Sequence, residues 1–323
     1  MPPNRNRGFS LRKIRKKYRW IKKNDWILLL WNEERRIKQK KNIRRYSDSE
    51  AVKKLYFNTF GTCPDFKNPE GYNEKLQWLK LYYRNPLMVQ CADKYGVREH
   101  IKKMGYGHIL NDLYGAYDSV EAVNIGKLPD RFVLKATHGS SWNIICRDKE
   151  NINWFVWKLI MKSWLRQNIY VDGREWVYKD IKPRIICEKY LEDMDGNLTD
   201  YKFFCFSGEP AFIQVDIDRF GKHKRNMYDK EWNLLPFTYN YLNSDKEIDR
   251  PCNLGEMLTA AKILSAGFPH VRVDFYNING QLFFGEFTFF PESGTGIFTP
   301  PEYDVKIGEL LSLPEKNFFH AGK

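Results

Sequence analysis

Residues 271–290 read VRVDFYNINGQLFFGEFTFF. Two runs of alternating residues flank Asn279-Gly280, the pattern of a β-hairpin, in which successive side chains point to opposite faces. Which residues share a face depends on the loop. A two-residue Asn279-Gly280 turn pairs Ile278 with Gln281 and puts Asp274 and Glu286 on opposite faces. A three-residue loop, Ile278 to Gly280 with the glycine left-handed, pairs Asn277 with Gln281, Asp274 with Phe284 and Arg272 with Glu286. It gathers Arg272, Asp274, Glu286 and Thr288 on one face and Val271, Val273, Phe275, Phe283, Phe287 and Phe289 on the other. This clean split favours the three-residue loop. Two carboxylates on adjacent strands repel unless a cation lies between them. Mg²⁺ suits such a pair, since it takes one or two carboxylates and fills its other positions with water and phosphate oxygens. A cross-strand ion pair between Arg272 and Glu286 explains the same residues without metal.

The rest of the chain alternates helices with hairpins. Helical spacing marks 73–83, 88–104 (ended by Gly105), 151–169 and 254–266. Strands are expected at Phe132–Lys135, Asn143–Cys146 and Ile185–Tyr190. A further hairpin joins Tyr201–Phe206 to Ala211–Val215 through Ser207-Gly-Glu-Pro210. The class is α+β.

The stretch VLKATHGSSWNIIC, residues 133–146, places Lys135 where a strand gives way to a Gly/Ser turn. A solvated lysine at the end of a hairpin explains it. So does a loop whose backbone N–H groups, with Lys135, hold a phosphate. His138 in that loop reads as a hydrogen-bonding residue more than as a base.

Charge is unevenly placed. Residues 1–50 carry 17 Lys and Arg against 5 Asp and Glu; the other 273 residues carry 36 against 35. The basic character belongs to an N-terminal segment, which argues against a nucleic-acid-binding body. Within that segment, residues 11–45 contain no proline or glycine and predict a helix. Its apolar patch Trp26–Trp31 is far short of the roughly 20 residues a membrane span needs. Two readings stay open. Trp20, Trp26 and Trp31 lie at an anionic membrane surface with Lys and Arg on headgroups, or the helix packs its apolar patch on the body. The six cysteines form no CxxC pair and the six histidines no close cluster. Reduced core cysteines of a cytoplasmic protein fit better than a disulfide framework or a zinc site.

Several phrases follow one another along the chain: YNEKLQW, DKYGVRE, KPRIICEKYL, DYKFFCFSG, HKRNMYD and GFPHVRVDFY. Over about residues 55–312 the chain resembles the ATP-grasp superfamily, and within it the TupA-like branch associated with teichuronopeptide and other bacterial surface polysaccharides. The resemblance implies ATP and Mg²⁺ as cofactors, held between two antiparallel-sheet subdomains. Its divisions would be a basic helical extension (1–50), an N-terminal α/β subdomain (51–130), a small subdomain with the phosphate loop (131–191) and a large subdomain with the metal site (192–323). Lys94 and Lys135 match the nucleotide-binding lysines, and His138, Gly139, Ser140 and Ser141 lie in the phosphate-covering loop. Glu188 and Leu191 match the adenine-reading hinge. Asp200 would take the ribose hydroxyls, and Lys202 would lie near phosphate. Asp274 and Glu286 match the Mg²⁺ carboxylates, with Thr288 where many members have asparagine. Arg272 would hold a carboxylate and stabilise a tetrahedral intermediate. The implied reaction is carboxylate–amine ligation on a polysaccharide precursor, lipid-linked at the inner face of the membrane. Two other readings are a glycosyltransferase using acidic pairs such as Asp216 and Asp218, and a non-catalytic nucleotide-binding module.

Overall fold

In a computed structural model of the chain, residues 24–192, 198–217 and 223–317 are described. Trp20 and Asp218, and the expected helix before residue 24, lie outside them. Asn24 caps α1 (Asp25–Arg45), its side chain accepting from the backbone N–H of Trp26 and Ile27. A Ser47/Glu50 capping box then opens α2 (Asp48–Phe60), and Gly61 in the left-handed conformation closes it. The helix α3 (Tyr72–Tyr82) matches the 73–83 expectation within a residue.

The single helix expected over 88–104 is two helices, α4 (Pro86–Ala92) and α5 (Val97–Lys103). The break has a tertiary cause. The Lys94 N–H leaves the helical ladder and donates to the Thr137 carbonyl at 3.2 Å. That bond turns residues 93–96 toward the Gly/Ser loop, against the local propensity.

Four strands follow in a small antiparallel sheet: β1 (Leu113–Tyr117), β2 (Phe132–Ala136), β3 (Asn143–Cys146) and β4 (Ile185–Lys189), in the order β1-β4-β2-β3. Between β3 and β4 lie α6 (Trp154–Leu165), shorter than the 151–169 expectation, and the short α7 (Tyr170–Gly173). Phe132, Leu134, Ile144 and Ile185 of the sheet share one core with Val156, Ile160 and Trp164 of α6 and Leu28 of α1. Thus α1 packs on the body. Leu28, Asn32 and Gln39 are buried, while Trp26, Leu30 and Ile37 face outward. No helix of the described residues is long and apolar enough to cross a membrane.

The second sheet contains β5 (Asp200–Phe206), β6 (Glu209–Ile217) and β7 (Lys224–Tyr228). The two-residue β8 (Thr238–Tyr239), which belongs to a separate two-stranded sheet, and α8 (Leu254–Ser265) precede its remaining strands, β9 (His270–Ile278) and β10 (Gln281–Thr288). Its order is β10-β9-β5-β6-β7, all antiparallel. One face packs Phe203, Ile213, Val271, Val273 and Phe275 against Met257, Ala261 and Leu264 of α8. The other face carries the charged residues described below. The fold is α+β, two antiparallel sheets flanked by helices. Cys91, Cys146, Cys187 and Cys205 are buried and unpaired, as a reduced core requires.

The hairpin of β9 and β10 corrects the expected loop. Asn279 (φ 53°) and Gly280 (φ 82°) form a two-residue turn, and Ile278 pairs with Gln281. A β-bulge between Phe284 and Glu286 then shifts the register, so that Asp274 opposes Glu286 and Arg272 opposes Thr288. The shared face of the four polar residues survives through the bulge rather than through the loop. Phe283 is displaced from the apolar face. It pairs with half-buried Tyr276, while Leu282 and Phe284 enter the core. Gly285 makes the bulge possible, since a Cβ there would come within 2.9 Å of the Asp274 carbonyl oxygen. We therefore expect Gly285→Ala to lose about 1–3 kcal/mol in denaturant unfolding. Gly255→Ala in α8, where an added methyl meets nothing within 4 Å, should be neutral or mildly stabilising.

Candidate functional site

The charged face of the large sheet is built row by row. Lys202 on β5 lies directly opposite Asp274 on β9 and Gln214 on β6, and Asp200 lies opposite Asp216. Side chains at these positions point to one face. Arg272 grips Asp274 with two parallel hydrogen bonds, Nε to Oδ1 and Nη2 to Oδ2, both 2.7 Å. Nη2 also donates to the Thr288 hydroxyl at 3.0 Å. The Lys202 ammonium lies 3.0 Å from Asp200, 3.5 Å from Asp274 and 3.6 Å from Asp216. Asp216 in turn accepts from Arg225 at 2.7 Å and meets His223 at 3.0 Å. Burial pushes the Asp274 carboxyl above its usual range, against the pull of Arg272 and Lys202. The same carboxylate raises the already high pKa of Arg272 despite burial.

Glu286, just past the bulge on β10, lies opposite Asp274. Its carboxylate lies 3.1 Å from Lys94. Burial would raise its pKa, but Lys94 and then Arg272 outweigh that and hold it near about 2. Lys94 also donates to the Gly139 carbonyl at 2.9 Å. The helix break at 93–96 therefore delivers one lysine both to the phosphate-loop candidate and to the carboxylate pair.

From the small sheet, Lys135 donates to Glu188 Oε2 at 2.7 Å, and Arg98 lies 3.5 Å from Glu188 Oε1. Lys94, Arg98, Lys135, Glu188, Phe284 and Gly285 line a cavity of only about 10 Å³, room for about one water. Lys135 and Glu188 pair between adjacent strands of the small sheet, Arg98 adds to them from α5, and Lys94 pairs with Glu286 of the large sheet. A larger cavity of about 330 Å³ lies at the outer edge of β1, among Tyr114, Tyr117, Asn124 and Lys127. None of the sequence-predicted residues lines it.

The loop after Lys135 folds back on itself. Ser141 has φ 63°, and Ser140 and Ser141 are exposed. His138 is buried, with Nε2 3.1 Å from the Trp164 carbonyl. Burial pushes its pKa down to about 4, so it is neutral at pH 7. Leu191 is half-buried just past β4, and Asp200 is buried beside Lys202. Sequence reasoning missed Arg98, although it stands four residues after Lys94 in DKYGVRE, in the first turn of α5. It also missed the role of Arg225, which bridges Asp216 and Glu292.

A family model described as TupA-like ATPgrasp matches residues 74–312. The chain belongs to the TupA-like ATP-grasp family. No curated protein matches the sequence. Among solved structures, a D-alanine–D-alanine ligase from Helicobacter pylori is 16% identical, with 75% of this chain and 69% of that chain covered and a TM-score of 0.42. The corresponding Bacillus anthracis enzyme is 17% identical over the same shares, with a TM-score of 0.39. A phosphoribosylamine–glycine ligase from Thermotoga maritima is 14% identical, covering 64% and 50%, with a TM-score of 0.38.

The donor set fits a magnesium–nucleotide pair. Asp274 and Glu286 oppose each other on adjacent strands, and two carboxylates are what Mg²⁺ takes when phosphate oxygens supply further ligands. Among the described residues no three His, Cys, Asp or Glu side chains converge as a self-sufficient metal cage. The two carboxylates differ in what else they hold. Asp274→Asn leaves the buried Arg272 guanidinium without its counter-charge and should cost about 3–5 kcal/mol. The Glu286 side chain is 38% exposed, so Glu286→Gln should cost under about 1 kcal/mol. Chemical denaturation of the two variants side by side checks the contrast.

Proposed function

We propose that the protein is an ATP- and Mg²⁺-dependent carboxylate–amine ligase. The observation that carries this is that Lys94 and Lys135, from different elements, line one cleft with Glu188 and Gly285, and that Lys94 there reaches Glu286, the residue opposite Asp274. Lys94, Lys135 and Lys202 would meet the phosphate charges, and Asp274 and Glu286 would hold the metal, which neutralises those phosphates when bound. Glu188 and the backbone at Leu191 would read the base, and Asp200 the ribose. In such a site catalysis is mainly positioning and charge stabilisation.

The reaction balances as two transfers. A substrate carboxylate oxygen attacks the γ-phosphorus of ATP, giving an acyl phosphate and ADP. An amine then attacks the carbonyl carbon, phosphate leaves, the amine gives up a proton, and an amide remains. Nε and Nη2 of Arg272 are taken by Asp274 and Thr288, which leaves Nη1 for the oxygen that becomes negative in the tetrahedral intermediate.

The substrate we propose is a bacterial surface-polysaccharide precursor, with an amino acid or amino sugar joined to a uronic acid. A lipid-linked precursor would place the enzyme at the inner face of the membrane. Trp26, Leu30 and Ile37 on the outward face of α1 support that placement, beside exposed Lys38, Lys40 and Lys41. The glycosyltransferase reading rests on Asp216 and Asp218, of which Asp218 lies outside the described residues, and it gives no role to Lys94 beside Glu286 or Lys135 beside Glu188.

Calorimetry with ATP, with and without Mg²⁺, tests the reading. The wild type should bind Mg²⁺–ATP, and Lys135→Ala should weaken binding about tenfold to a hundredfold through loss of one charge-assisted contact. Binding of a sugar nucleotide in place of ATP sinks the ligase proposal. Tight ATP binding with no turnover on any carboxylate would move it to the non-catalytic module.

A further inference from the structure

The family match begins at residue 74, yet α1 lies against the part of the cleft that would hold phosphate. Arg35, midway along α1, stands between two tryptophans. Its guanidinium carbon is 5.4 Å from the Trp31 ring centre and 5.5 Å from that of Trp142, within cation–π range. The plane of the guanidinium is fixed from α7. Nε donates to Asp172 Oδ2 at 2.9 Å, Nη2 donates to the same oxygen, and Gln39 donates to it at 3.1 Å.

Trp142 closes the loop that follows Lys135. Its ring meets His138 edge-on at 5.1 Å between centres. It also fills the space beside Gly139, where a Cβ would lie 2.2 Å from the ring. Its carbonyl accepts from the Ala136 N–H at 2.9 Å. The other end of the loop is tied to α1 as well. Asn32 accepts from Trp164 Nε1 at 3.2 Å, and the Trp164 carbonyl meets His138 Nε2 at 3.1 Å. Asn32 and Arg35 are three residues apart, on one face of the helix. They reach the two ends of the loop, one through Trp164 and the other directly.

The loop needs that support. Thr137 Oγ1, His138 Nδ1 and Trp142 Nε1 are buried without a hydrogen-bond partner among the described residues, which opposes the folded-in conformation. Ser141 adds a left-handed backbone. Contacts from α1 offset these costs.

We propose that Arg35 is a positioning residue for the phosphate loop. By clamping Trp142 against α1, it holds residues 137–142 closed beside Lys94 and Lys135, so that a helix outside the family-matched region completes the nucleotide site. The phosphate part of this inference rests on the nucleotide reading above; the hold on the loop does not.

The test uses the full chain with Arg35→Ala and Arg35→Lys. Three quantities are read: hydrogen exchange of the loop amides, calorimetric binding of Mg²⁺–ATP, and binding of adenosine, which carries no phosphate. Arg35→Ala should speed loop exchange and weaken ATP roughly five- to tenfold, the scale of a lost cation–π contact plus an ion pair, while adenosine binding is unchanged. Arg35→Lys keeps the charge but not the planar fork, and should fall between. If Arg35→Ala does not fold, Asp172→Asn frees the same guanidinium from the half-exposed side and should give the same split. Unchanged loop exchange overturns the proposal, and so does a parallel loss of ATP and adenosine, the mark of a merely structural helix. A wild type that binds no nucleotide removes the nucleotide reading and the phosphate half of the inference. The exchange data then still decide whether Arg35 holds the loop.

Discussion

The grip of Arg272 on Asp274 is the interaction on which the large sheet's charged face depends. A guanidinium buried this deeply is tolerable only with a counter-charge at hydrogen-bond distance. Asp274 supplies it from two residues away on the same strand, so the pair's partners do not depend on the pairing of any other strand. The pair then imposes on its neighbours. Lys202 must lie opposite Asp274, Asp200 and Asp216 must balance Lys202, and Arg225 must balance Asp216. A slip of one residue in any of these strands would send a charge into the apolar face against α8, which is how a polar lattice of this kind enforces register.

That dependence explains what was legible in the hairpin and what was not. The alternation in VRVDFYNINGQLFFGEFTFF is real, and it put Arg272, Asp274, Glu286 and Thr288 on one face. Read as a plain repeat of two, it required a three-residue loop, because nothing in the pattern distinguishes a residue gained in the turn from one gained in the strand. The structure gains it in the strand. The signal was present in Gly285, which can approach the Asp274 carbonyl where another residue cannot. Asn279-Gly280 also strongly favours a two-residue turn. The placement of Phe283 was lost with the loop, since it lies on the turn side of the bulge.

The other misreadings are tertiary in origin. Helical periodicity runs through residues 88–104, but a single backbone bond from Lys94 to Thr137 outweighs it locally and creates the bend that brings Lys94 to Gly139 and Glu286. Composition could not show which face of the N-terminal helix the body takes. The deciding groups are polar: Asp25 accepts from Trp157 Nε1, Asn32 from Trp164 Nε1, and Asp172 from Arg35. Each is an unremarkable residue until its partner, more than a hundred positions away, is known.

The cleft between the sheets is balanced against itself. Lys94 faces Glu286, and Lys135 and Arg98 face Glu188. Opposite charges held this way keep several partly desolvated groups from standing alone, which would cost more than the pairs themselves contribute. On the proposed reading, phosphate would take Lys94 and the metal would take Glu286, so that a nucleotide with its divalent cation replaces both halves of that pair at once. Either component alone satisfies one partner and strands the other. The arrangement therefore favours a ligand that carries both charges over a bare anion or a bare cation. The cavity among Lys94, Lys135 and Glu188 is only about 10 Å³, so on the proposed reading the nucleotide would displace these pairs rather than fill a preformed space.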